Sequence, residues 1–88
     1  MIKNVYTVHD AKAEAYLDPF FARSHGEAIR SFESAIATPD HPFNRHAKDY
    51  SLVHIGTFDD ATATLEPHLL PNVLASGLEV SSRQVIAA

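Results

Sequence analysis

The segment DHPFNRHAKDY, residues 40–50, gathers two histidines, an arginine, a lysine and two aromatic rings between a helical pattern and a strand pattern. A metal site there would draw on His41 and His46, with Asp40, Asp49 and His54 near in sequence. Zinc needs three or four converging ligands at about 2.0–2.3 Å, in recognisable spacings. His-x4-His with a proline between is not such a spacing, and the chain has no cysteine to complete a set. The sequence therefore predicts no metal and no other cofactor. On that reading one loop histidine bonds the backbone and the other stands in solvent.

A nucleic-acid contact needs cations to follow phosphates and rings on which unpaired bases can stack. Arg45 and Lys48 flank Phe43 and Tyr50, and His46 becomes a cation on mild acidification. Arg23 and Arg30 stand at the start and on the polar side of the neighbouring helix pattern. The same residues admit a structural reading. Phe43 then tucks under the helix C-terminus, Tyr50 is core, and the arginines pair with Glu27, Glu33 or Asp49. The sequence leaves both open.

Catalysis has less to stand on. Ser24, Ser31, Ser34 and the histidines form many pairs, but no pattern fixes one pair with an orienting acid. The glycines number three and are far apart, so no phosphate-cradling loop exists. Asp59-Asp60 reads as turn chemistry. The chain is not expected to be an enzyme.

Composition narrows the classes further. Eighty-eight residues, 45% hydrophobic and 20% charged, describe one globular domain with a small core. A net charge of −4 opposes strong DNA binding over the whole surface, though a local basic patch can persist. No apolar run approaches the ~20 residues of a membrane span, and MIKNVYTVHD lacks signal-peptide features. An intracellular protein without membrane contact is expected.

The elements that must position these residues follow from patterning. Residues 2–9, IKNVYTVH, read as a first strand, and FFAR, residues 20–23, as a short second one. Ser24-His25-Gly26-Glu27 has a capping-box pattern, and Ala28, Ile29, Phe32, Ala35 and Ile36 follow at helical spacing until Thr38-Pro39. YSLVHIGTF, residues 50–58, is the central strand. Strict alternation puts Tyr50, Leu52, His54 and Phe58 on one face and Val53 and Ile55 on the other. Gly56 marks a bulge or a close approach. ATLEPHLL forms an edge strand, where Pro67 is tolerated. The expected fold is α+β, a small antiparallel sheet in the order β-β-α-β-β with one helix on one face. Residues 1–70 form this domain, and residues 71–88 a partly flexible strap or tail. One helix covers one face only, so a homodimer or larger homo-oligomer is expected to bury the other through Val53 and Ile55.

The ordered pieces resemble a known family. VYTVHDAKAEAYLDPFF, the capped helix with Arg30 and Phe32, and HPFNRHAKDYSLVHIGTFDDATATLEPH are similar to the small nonstructural protein of gokushoviruses. These are tailless microvirus-group phages with single-stranded DNA genomes. The resemblance covers residues 4–70, and its most specific part is the order P-x-D-Y-x-L-x-x-I-G-x-F-D-D. Ala47 stands where that pattern has proline, and Ala63 where a glycine usually closes the turn.

The resemblance implies a protein of the infected bacterial cytoplasm that is absent from the mature virion. It would act in genome replication or packaging, with weak sequence-independent binding of single-stranded DNA and with phage or host replication or packaging proteins as partners. No catalytic motif comes with the family. The competing expectation is a homo-oligomeric protein-binding regulatory module that never contacts DNA.

Overall fold

A computed structural model describes residues 1–87 of the chain. Among the described residues, five strands and three α-helices follow one another: β1 (Ile2–Asp10), β2 (Ala15–Tyr16), β3 (Phe20–Ala22), α1 (His25–Ala37), α2 (Pro42–Arg45), β4 (Tyr50–Asp59), β5 (Thr64–Ser76) and α3 (Gly77–Ala87). A single 3-10 turn, Ala47–Asp49, leads from α2 into β4. All strand pairs are antiparallel. The order is β2-β1-β4-β5, and β3 pairs with β1 further along the edge that β2 occupies. The α+β class and the small antiparallel sheet are thus as the patterning predicts, with a split second strand and two more helices.

The core forms between the sheet and the helices. Tyr6, Val8 and Leu52 from the sheet meet Ala28, Phe32 and Ile36 of α1 and Val80 of α3. The i, i+4, i+8 spacing of Ala28, Phe32 and Ile36 puts them on one helix stripe. Ser24 caps α1, its Oγ accepting from the Glu27 amide at 3.1 Å. Glu27 reaches back one residue beyond a capping box, accepting from the Arg23 amide at 3.2 Å.

The expected division at residue 70 falls inside β5, which runs unbroken from Thr64 to Ser76. The next residues form α3, whose Val80 is fully buried in the common core. Gly77 explains the close docking: a Cβ there would collide with the Ala47 carbonyl oxygen. Residue 88, the end of the expected tail, lies outside the described residues.

One extra residue in β4 rearranges the faces. Val5 pairs with Gly56 and Tyr6 with His54, so Ile55 has no partner on β1. Directly paired residues share a face, and a one-residue bulge flips everything beyond it. Leu52 and His54 face the helices as alternation predicts, but Phe58 crosses to the other side. There its ring meets Phe21 at 5.7 Å between centroids. Gly56 stands beside this irregularity, with no room for a Cβ against the Glu66 carbonyl oxygen.

Candidate nucleic-acid interface

The segment of residues 40–50 is a compact helical corner. Asp40 adopts a left-handed conformation, φ 66°, and turns the chain out of α1. His41 then caps α2, its Nδ1 accepting from the Phe43 amide at 3.0 Å. Pro42 begins the helix, where its missing N–H costs nothing. Asn44 Nδ2 donates to the Ile36 carbonyl at 2.7 Å and ties this corner to the end of α1. His41 is therefore the backbone-bonded histidine and His46 the exposed one.

Phe43 is half-buried and packs on the core, with ring centroids 5.9 Å from Phe32 and 4.4 Å from Tyr50. This is the structural alternative for that ring, and it removes most of the flat surface that base stacking requires. Tyr50 is half-buried too, and burial, then Asp10 and Asp49, push its hydroxyl above the ordinary tyrosine range.

The cations divide. Arg45, His46 and Lys48 are all exposed on the α2 and 3-10 segment. Arg30 is exposed on α1. Arg23 pairs with Glu27, Nη2 to Oε2 at 2.9 Å. Hydrogen bonds from the Arg23 amide and guanidinium hold the Glu27 carboxyl below its usual range. Arg23 precedes α1, whereas α2 is pinned to the far end of that helix. Thirteen residues of helix, about 20 Å, separate the two. One surface for all six expected residues does not form.

The fold supplies a cation that sequence reading missed. The Ala11 amide donates to the Asp49 carbonyl at 2.8 Å, which brings the turn after β1 against the 3-10 turn. Asp10 Oδ1 accepts from the Lys12 and Ala13 amides at 3.0 and 3.2 Å and fixes that turn. Lys12 thereby lines a cleft of about 490 Å³ with His46, Lys48, Asp10, Asp49 and Tyr50. The signal was the antiparallel register Asp10↔Tyr50, which local patterning does not disclose. The cleft is mixed in charge, with two lysines and a titratable histidine opposing two carboxylates.

The family model described as Phage ORF5 protein matches residues 3–80. The chain belongs to this phage ORF5 family. Comparison with curated proteins and with solved structures finds no match. The family match extends past β5 to Val80, the α3 residue that completes the core.

The open face of this ORF5-family fold differs from the expected interface. Val53 is 1% exposed within a single chain, flanked in register by Thr7 and Val73, so it offers no contact area. Ile55 is half-buried and lines an apolar hollow with Thr7, Tyr16, Leu17, Pro19 and Pro71. The exposed apolar members of this side include Phe21, Leu65 and Val73, with Tyr16 and Leu17 around the hollow. Among the described residues no helix is long and apolar enough to cross a membrane, and no three metal-ligating side chains are grouped to hold an ion.

Proposed function

We propose that this phage protein acts, without enzymatic activity, in replication or packaging of a single-stranded DNA genome. Its contact with DNA is weak, sequence-independent and made to the phosphate backbone. The observation that carries the reading is the convergence of Lys12 from one turn with His46 and Lys48 from the α2 and 3-10 segment, beside which Arg45 is also exposed. Resemblance to the gokushovirus nonstructural protein supports the genome setting. On the same resemblance it works in the cytoplasm of the infected bacterium, outside the mature virion, with phage or host replication or packaging proteins as partners.

The packing of Phe43 weakens the stacking part of the contact and leaves the electrostatic part. Such binding is steeply salt-dependent. An anisotropy titration with single-stranded and duplex DNA at two salt concentrations tests it. Binding at low salt that falls as salt rises is expected.

A second reading is favoured by the open sheet face, where Phe21 is 57% and Val73 62% exposed. There the protein is a homo-oligomeric protein-binding module that does not touch DNA. Absence of DNA binding at low salt and pH 6 would select it. Light scattering at micromolar concentration reads the oligomer, which both readings expect.

A further inference from the structure

Three histidines far apart in sequence meet beside the core. His54 lies on β4, His25 opens α1 and His68 stands on β5. The rings of His54 and His68 are 4.4 Å apart between centroids, and those of His54 and His25 are 4.6 Å apart. His54 Nε2 contacts Asn4 Oδ1 at 3.2 Å, and its Nδ1 contacts His68 Nε2 at 2.8 Å. An amide oxygen only accepts, so His54 Nε2 donates to Asn4. In the neutral ring Nδ1 is then the acceptor, and His68 Nε2 donates to it.

This contact fastens an irregular piece of the edge strand. Gly56 pairs with Pro67 and His54 with Asn72, so residues 68–71 of β5 stand opposite Ile55 alone. Leu69 and Leu70 project from this excursion, 101% and 78% exposed. His68 turns back from it to meet His54.

We propose that His54 and His68 form an acid-opened clasp that holds the excursion at residues 68–71 to the sheet. A proton added at Nδ1 of His68 leaves the N–H···N bond in place. A proton added to the neutral His54 ring has only Nδ1 to occupy, the acceptor itself. Two N–H groups then face each other, the bond breaks and the excursion comes free.

The surroundings give the added charge no counter-ion. From β1 the neighbours are Asn4 and Tyr6, and from α1 they include His25, whose Nδ1 meets the Tyr6 hydroxyl at 2.7 Å. Glu27, the carboxylate that acts on Tyr6, is committed to Arg23. Among the described residues no carboxylate pairs with any of the three rings. Burial, then His68 and His25, lower the pKa of His54.

The test is an NMR titration of the ¹⁵N-labelled full chain from pH 7.5 to 4.5, following ring nitrogens and backbone order parameters together. Leu69 and Leu70 are expected to fall from about 0.85 to below about 0.6 as His54 takes up its proton. The amides of Phe32 and Leu52 should hold their values, which separates local opening from unfolding. His54→Gln can accept from His68 and donate to Asn4 but cannot protonate, so its excursion should stay ordered throughout. Leu69 and Leu70 already mobile at pH 7.5, or unmoved while His54 titrates, would overturn the clasp. So would loosening of the His54→Gln protein over the same range. If that variant does not fold, the wild-type curves decide, because the two midpoints must coincide.

Discussion

Gly77 lies against Ala47 so closely that its α-carbon faces the Ala47 carbonyl oxygen with no room for a side chain. The Tyr50 carbonyl oxygen closes the same space, 3.1 Å from where a Cβ would sit. The start of α3 is thereby docked on the segment that carries His46 and Lys48. Gly77→Ala should push α3 off this seat and disturb the packing of Val80. Overpacking of this kind costs about 1–3 kcal/mol. A lowered urea midpoint is expected, and an unchanged one would mean that α3 is a loosely attached tail.

Ala63 adopts φ 61°, the left-handed region, in the turn between β4 and β5. A side chain in that conformation costs about 1–2 kcal/mol, from which glycine is exempt. Ala63→Gly should relieve this strain, less the added entropy of an unfolded glycine, for a net gain of about 0.5–1 kcal/mol. The rise in urea midpoint measures it. Loss of stability instead would show that the turn is not the strained element.

Ala63 also shows what the sequence discloses by itself. The resemblance to the gokushovirus protein suggests a glycine here, and the left-handed backbone suits one. The capped helix and the strands IKNVYTVH and YSLVHIGTF were legible because their signals are local: a cap, a 3.6-residue stripe, runs of β-branched residues. Ile55 was not legible as a bulge, since nothing in its type separates it from a regular strand residue, and Phe58 was therefore assigned to the wrong face. Val80 was missed because one buried valine among GLEVSSRQ makes no stripe. Lys12 and the contact between His54 and His68 depend on register across the sheet, which no short window contains.

The two ends of α1 should respond differently. Ser24→Ala removes the acceptor for the Glu27 amide and should cost about 0.5–2 kcal/mol. Phe32→Ala empties a site that is 3% exposed, between the sheet and Phe43, and should cost roughly 3–5 kcal/mol. Urea denaturation ranks them. The opposite order would mean that Phe32 is not a central core residue.

Stability should fall on mild acidification. Burial, then the neighbouring His68 and His25, place the folded pKa of His54 below its ordinary value. The unfolded chain therefore binds more protons than the folded one below about pH 6.5, and mass action favours unfolding there. Above that pH both states are neutral at His54 and this effect vanishes. The urea midpoint of the wild-type chain should drop between pH 7 and 5, and that of His54→Gln should drop less. The lowered carboxyl of Glu27 acts only at more acid pH, where protonation breaks its ion pair with Arg23. Equal pH dependence in the two proteins would remove His54 as the cause.

The DNA-binding proposal separates electrostatics from stacking. Removing one cation that neutralises a phosphate should flatten the slope of log affinity against log salt by about 0.7 for a single strand. Arg45→Ala and Lys48→Ala should each do so, because both side chains are exposed on the α2 and 3-10 segment. Lys12→Ala should act likewise, although it is distant in sequence, since it lines the same cleft as His46 and Lys48. Arg23→Ala should leave the slope unchanged, because Arg23 is paired with Glu27 at the opposite end of α1. Phe43→Ala should show itself mainly as reduced stability, since its ring packs against Phe32 and Tyr50. A common slope for wild type and the Lys12, Arg45 and Lys48 variants would place any DNA contact elsewhere on the surface. No binding at low salt and pH 6 would leave the open sheet face as the working surface of the protein.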